Sequence, residues 1–157
     1  MTPDLPTLQS LAASNYWPAL APEIVLGVFA LLLLAVELLV PRRVLATVVP
    51  RMAVLGLFVS LAWTLRDWTP LWLNREIFGG LVRQTTDSQI MRVFFLVASL
   101  LVGFIATVVL PRQKAPRVEF FNVLLIATGA LMLLAQSNHF VLLFVALETV
   151  TVAFYIL

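Results

Sequence analysis

The fold is decided by the stretch from Ala19 to Val40, which reads ALAPEIVLGVFALLLLAVELLV. Its charged side chains are two acids, Glu23 and Glu37. As one helix rising about 1.5 Å per residue it would extend about 33 Å, enough to cross a hydrocarbon core about 30 Å thick. We therefore predict a membrane-spanning helix here, ended by the Pro-Arg-Arg sequence that follows.

The composition of the whole chain supports this interpretation. The chain has 157 residues, of which 62% are hydrophobic and 11% charged. A soluble domain is roughly 45–50% apolar and about 25% charged, so soluble globular and disordered classes are excluded. The lack of cysteine and the single histidine exclude disulfide frameworks, thiolate or histidine-rich metal sites and a catalytic cysteine. A net charge of +2 gives no reason to expect nucleic-acid binding.

Further apolar runs predict an all-α, polytopic transmembrane bundle of about five spans. The spans lie near residues 19–40, 48–65, 90–110, 119–135 and 139–157, within a single membrane domain over 1–157. Pro50 is expected in the first turn of the second span, where its missing N–H costs nothing. Pro111 is expected to end the third span, and the polar residues 136–138 separate the fourth from the fifth.

The basic residues predict the orientation of the bundle in the membrane. Short loops rich in Lys and Arg stay in the cytoplasm, so the N-terminus is predicted outside and the C-terminus inside. Residues 1–18 contain neither Lys nor Arg, and we therefore expect no cleaved signal peptide. The basic residues of the first-to-second and third-to-fourth loops are Arg42, Arg43, Arg51, Arg112, Lys114 and Arg117.

Glu148 is the residue best suited to carry chemistry. It lies nine residues from either end of the fifth run, which is about 14 Å along a helix. A charged side chain at this depth costs on the order of 2.5–3.5 kcal/mol, and acids found there commonly serve proton relays or ion paths. The carboxyl is either protonated, because it is removed from water, or ionised opposite a cation. Lys114, in a loop, is the single lysine and cannot be that buried cation.

Three further residues are candidate accessory groups. Thr151 and Tyr155 follow Glu148 at three and seven residues, on the same helical face, and are expected to hold a water or orient the carboxyl. His139, at the start of the fifth run, is a candidate for proton entry because imidazole titrates near physiological pH. The alternative is that Glu148 is neutral and makes an interhelical hydrogen bond for packing.

The other polar residues of the spans are expected to be structural. Glu23 and Glu37 lie near membrane boundaries, where a solvated or paired acid is ordinary, and Arg92 is expected to pair with the nearby Asp87. Small and polar side chains allow close helix contact in lipid. Two such stripes, predicted to pack against other helices, are Ser99, Gly103 and Thr107, and Asn122, Gly129 and Gln136.

Several motifs resemble one family of membrane proteins. The chain is similar to the antiporter-like membrane subunits of proton-pumping NADH:quinone oxidoreductase (complex I), and to their subunit N in particular. The motifs that carry this resemblance are Pro22-Glu23, Glu37, Phe78-Gly79-Gly80-Leu81-Val82, Glu119-Phe120-Phe121, Gly129-Ala130-Leu131-Met132, Ala135-Gln136-Ser137-Asn138, Leu147-Glu148 and Tyr155-Ile156-Leu157.

The resemblance implies a subunit that couples quinone reduction elsewhere in a complex to proton movement. It implies no cofactor on this chain, with NADH, flavin, iron–sulfur clusters and quinone on the whole complex. The implied partners are other membrane and peripheral subunits and the lipid bilayer, in a bacterial inner membrane. The family's essential acid falls on Glu148, and its buried lysine partner lies on a later span, so this chain corresponds to the N-terminal third of a longer subunit or to a truncated product.

Two other functions remain open at this point. A related cation/proton antiporter subunit would share these first helices without any electron transfer. A structural membrane subunit would use Glu148 for assembly alone.

Overall fold

The structure is a computed structural model that describes residues 17–39, 42–68, 75–113 and 117–157. Helix accounts for 87% of these residues. After a 3-10 turn at Trp17–Leu20 come the helices α1 (Ala21–Leu39), α2 (Arg42–Arg66), α3 (Thr86–Gln113), α4 (Arg117–Gln136) and α5 (Phe140–Ile156). The predicted all-α membrane fold is confirmed.

Four helices are long and apolar enough to cross a membrane, and α5 is a shorter apolar helix of 17 residues. Their apolar windows lie within Trp17–Leu39, Thr47–Arg66, Thr86–Pro111 and Val118–Gln136. Large hydrophobic side chains such as Leu31, Phe94 and Phe104 are exposed on the outside of the bundle. This surface suits lipid rather than water, because lipid tails are as apolar as the side chains themselves.

The helices α1 to α4 form one packed group, in which α1 contacts α2 and α4, and α3 contacts α2 and α4. α2 and α4 also touch across the group. Its centre contains the buried side chains Leu26, Leu33, Val49, Leu57, Leu96, Phe121, Leu125 and Met132. Among the described elements α5 packs on α4 alone, so one side of α4 carries a peripheral helix.

Two predictions about prolines are wrong. α2 begins at Arg42, so Pro50 lies in its interior rather than in its first turn. α3 continues through Pro111 to Gln113, although its apolar window ends at that proline. A proline inside a helix removes one backbone hydrogen bond, because its nitrogen carries no hydrogen. Both helices continue beyond the proline in spite of this missing bond.

A β-hairpin that the sequence did not predict covers one end of the bundle. Strands β1 (Arg75–Ile77) and β2 (Val82–Gln84) pair antiparallel, with Ile77 opposite Val82. The turn between them holds Phe78, Gly79 and Gly80 at positive φ, a region that glycine enters without strain. Val82 also bridges to Ser137, so the hairpin is joined to the turn between α4 and α5.

Some predictions concern residues that lie outside this description. They include the signal-peptide prediction on the N-terminal segment, the positions of Pro41 and Lys114, and the side chains of the basic loops at Arg42, Arg43, Arg112 and Arg117. The orientation of the termini therefore remains a prediction.

Candidate functional site

Glu148 is the ninth residue of the 17-residue helix α5, and so it lies at the middle of an apolar helix, as predicted. Its side chain is exposed. Because α5 packs on α4 alone among the described elements, α1, α2 and α3 do not cover this part of α5. Within the described part of the chain it forms no ion pair.

Glu148 lines a cavity of about 390 Å³ between α4 and α5. The other wall residues are mainly apolar, namely Val123, Ile126, Val152, Ala153 and Ile156. Thr149 also lines this cavity, and its hydroxyl donates to Val145 O at 2.8 Å. The cavity wall therefore combines one carboxyl and one hydroxyl with an otherwise apolar surface.

Thr149 is a candidate that the sequence did not single out. It lines the cavity of Glu148 and a second cavity of about 240 Å³ between α1, α4 and α5. Glu23 also lines that second cavity. Residues three and four positions apart face each other on a helix, so the sequence pattern pointed to Thr151 and not to the adjacent Thr149.

In the described part of the chain, none of the predicted accessory residues forms a hydrogen bond with the carboxyl of Glu148. The Thr151 hydroxyl donates to Leu147 O at 2.8 Å, and Tyr155 is 93% exposed. His139 is the N-cap of α5, where its Nδ1 accepts from the backbone N–H of Val141 at 3.3 Å. Their accessory roles remain predictions.

A second polar centre, which we call the Glu23 cluster, consists of Glu23, Arg92 and Gln136. Arg92 Nη2 lies 2.8 Å from Glu23 Oε1 and 2.9 Å from Oε2. Gln136 Nε2 donates to Glu23 Oε1 at 2.6 Å. All three side chains are buried, so the cluster joins α1, α3 and α4 inside the bundle.

The expectation for Arg92 is therefore wrong. Its guanidinium pairs with Glu23, which is 69 positions away in the sequence, rather than with the local Asp87. Arg92 also donates to Ala19 O at 3.1 Å and to Gln89 Oε1 at 3.4 Å. A buried charge needs a buried partner of opposite sign. Asp87, the acid nearest to Arg92 along the sequence, is exposed and cannot serve as that partner.

Ser99 and Gly103 of the first small and polar stripe lie at helix contacts, as predicted, whereas the Thr107 hydroxyl donates to Phe104 O of its own helix at 2.6 Å. The Thr128 hydroxyl donates to Ser99 Oγ at 2.7 Å between α4 and α3. Gly103 is buried, and a Cβ placed on it would lie 3.6 Å from side-chain atoms of both Leu57 and Leu124. Gln136 is the member of the second stripe that reaches the Glu23 cluster.

The fold and these residues define a class of protein: a multi-pass helical membrane protein with an acid at the middle of one helix and a paired acid inside the bundle. Over nearly its whole length the chain is similar to the N-terminal part of NADH-quinone oxidoreductase subunit N 1 from Opitutus terrae. The two are 46% identical, over 98% of this chain and 30% of that protein.

Two further relatives agree. NADH-quinone oxidoreductase subunit N 2 from Roseiflexus castenholzii is 35% identical over 82% of this chain and 25% of that protein. The chloroplastic NAD(P)H-quinone oxidoreductase subunit 2 from Mesostigma viride is 32% identical over 95% of this chain and 29% of that protein. No family model matches the chain.

The resemblance found in the motifs is confirmed, because the chain is homologous to the N-terminal part of subunit N. It spans about 30% of the length of the first relative.

Proposed function

We propose that this chain forms the N-terminal membrane section of a proton-translocating subunit of an NADH:quinone oxidoreductase, in which Glu148 takes up and releases a proton. The observation that carries the proposal is the position of Glu148, a carboxyl at the middle of an apolar helix beside a cavity of about 390 Å³. The names of the relatives supply the complex and its chemistry.

The surroundings of Glu148 explain how its charge would respond to a neighbour. Among the residues that the structure describes, the cavity wall beside the carboxyl is mainly apolar and holds no basic residue, so a cationic partner would have to come from outside it. A cation brought to the exposed side of α5 would stabilise the carboxylate, and the proton would then leave. In the described part of the chain Glu148 forms no ion pair, and we propose that the cation comes from a part of the subunit beyond these five helices.

This role needs no redox group on the chain itself. NADH, flavin, iron–sulfur clusters and quinone belong to other parts of the proposed complex, and the bilayer and the neighbouring subunits are the proposed partners. A bacterial cell membrane is consistent with the bacterial relatives.

The test replaces Glu148 by Gln, which keeps the size of the side chain and removes its titration. In the assembled complex, proton movement coupled to quinone reduction should fall by about a hundredfold, the order expected when one proton-transferring group is lost. Proton uptake by membrane vesicles is measured during NADH oxidation.

The matched control is Glu119→Gln, which neutralises an exposed acid in the first turn of α4 and should pump as the parent does. Normal pumping by an assembled Glu148→Gln complex would refute the relay and favour a structural role. Purification without flavin and iron–sulfur partners would favour the antiporter alternative.

A further inference from the structure

A groove on the outside of the bundle, between α2 and α3, has a basic residue in its wall, whereas the two cavities beside α5 are lined by acids. Its volume is about 590 Å³. Of the residues that line it, those used below are Thr47, Arg51, Leu55, Phe58, Phe104 and Thr107. We call it the α2–α3 groove.

The α2–α3 groove changes from polar to apolar along its length. A Cβ on Gly103 would lie 3.6 Å from Leu57 and 3.8 Å from Val54, so this part of α3 lies beside the middle of α2. Phe104, the next residue of α3, lines the groove together with the apolar residues of α2, and Thr107 lies three residues further along α3. Arg51 and Phe58 are seven residues apart on α2, which is about 10 Å of helix.

Arg51 is the basic residue in the wall of the groove. It lies four residues inside the apolar window that begins at Thr47, and its side chain is exposed. Within the described part of the chain it forms no ion pair. A long basic side chain at this depth extends toward the headgroup layer, where the phosphate of an anionic lipid is attracted to Lys and Arg.

We propose that the α2–α3 groove binds an anionic phospholipid, with its phosphate on Arg51 and an acyl chain along Leu55, Phe58 and Phe104. Along α2 the groove changes from Thr47 and the basic Arg51 to the apolar Leu55 and Phe58, and a phospholipid changes in the same direction, from a charged phosphate to an apolar acyl chain. The exposed aromatic walls, Phe58 at 62% and Phe104 at 68%, offer the apolar surface that the chain would cover. This site is independent of any proton movement at Glu148.

The test uses the complete complex in membrane vesicles and a phosphatidylglycerol probe that carries a photoactivatable diazirine on its acyl chain. Peptide mass spectrometry maps the labelled residues. In the parent, label is expected on Leu55, Phe58 or Phe104. The variant Arg51→Gln should lower the amount of label at these residues about fivefold, because it loses the attraction of one basic residue for an anionic lipid. Arg51→Lys keeps the charge and should keep most of the label.

Two controls separate charge recognition from general contact with lipid. Arg66→Gln removes an exposed arginine at the opposite end of α2 and should leave the label unchanged. A phosphatidylcholine probe with the same acyl chain should label the groove of the parent about fivefold less than phosphatidylglycerol. This comparison needs no variant, so it decides the question even where Arg51→Gln does not assemble.

Three results would overturn the proposal. They are equal labelling by the two lipids, parent-level labelling of Arg51→Gln, and an unlabelled groove in the parent, which would mean that protein covers it.

Discussion

The Glu23 cluster shows what a charged side chain requires inside an apolar bundle. Arg92 is 2% exposed and Glu23 is 9% exposed, so neither charge is in contact with bulk water. Both carboxylate oxygens of Glu23 accept hydrogen bonds, from Arg92 and from Gln136. Removing one partner of such a pair leaves the other charge buried and uncompensated.

Glu23→Gln should therefore destabilise the bundle by about 3–5 kcal/mol, because Arg92 keeps its charge but loses its carboxylate. The expected readout is a lower temperature of thermal unfolding in detergent, followed by intrinsic fluorescence.

Replacing both partners distinguishes a charge effect from a packing effect. The double variant Glu23→Leu with Arg92→Met should recover most of the lost stability, since no unpaired charge remains. Glu37→Gln, at an exposed acid of the same helix, should change the free energy of unfolding by no more than about 0.5 kcal/mol. A double variant that is less stable than both single variants would contradict this explanation.

At the residue scale, the sequence was enough to place Glu148 at the middle of an apolar helix. It was not enough to pair Arg92, because a single sequence gives neighbours along one helix and not contacts between helices. Its partner Glu23 is 69 positions away, and the third member, Gln136, is 113 positions from Glu23. Only the packing of α1, α3 and α4 brings them together.

Helix packing between α1 and α2 depends on a close approach at Gly56. A Cβ on Gly56 would lie 2.7 Å from Cγ of Phe29 and 3.0 Å from its Cβ. The contact reaches the base of the Phe29 side chain, so a change of its rotamer alone would not relieve it. α1 and α2 would have to move apart.

Gly56→Ala should therefore lower stability by about 1–3 kcal/mol, the usual cost of adding volume to a packed interface. The measurement is again thermal unfolding in detergent.

Gly27→Ala is the matched control, because a Cβ on Gly27 would meet nothing within 4 Å. Alanine is the better helix former by up to about 1 kcal/mol, so this variant should be as stable as the parent or slightly more stable. Equal effects of the two substitutions would show that the close approach at Gly56 does not matter.

At the element scale, apolar runs predicted the existence of every helix but not all of their ends. α3 begins at Thr86, four residues before the predicted span. Thr85 and Ser88 explain this early start. The Thr85 hydroxyl accepts from the Ser88 N–H at 3.2 Å, and the Ser88 hydroxyl accepts from the Thr85 N–H at 2.9 Å. This reciprocal cap is polar, and a search for apolar runs does not detect it.

The whole molecule is asymmetric, because α1 to α4 pack together while α5 contacts α4 alone. The side of α5 that carries Glu148 is left exposed by the described part of the chain. Composition predicted a membrane bundle but not this arrangement, since every helix is apolar and apolar character does not say which helices touch.

The predicted orientation can be tested because the chain has no cysteine. A single cysteine at Arg83, exposed on β2 of the hairpin, should react with a membrane-impermeant maleimide in intact cells. The hairpin lies at the predicted outer end of the bundle, where the short basic loops are absent.

A cysteine at Glu119, exposed in the first turn of α4, is the opposite control and should react only after the membrane is opened. The reverse pattern of labelling would mean that the N-terminus lies in the cytoplasm.

The long sequence separation within the Glu23 cluster has a consequence for synthesis. Glu23 is synthesised 69 residues before Arg92, so it reaches the bilayer roughly 3 to 14 s earlier at about 5–20 residues per second. During that interval α1 has no arginine beside Glu23. The carboxyl must therefore stay within the translocon or be protonated. The ion pair between Glu23 and Arg92 can form only after α3 has entered the membrane. The hydrogen bond from Gln136 forms later, after α4 has entered.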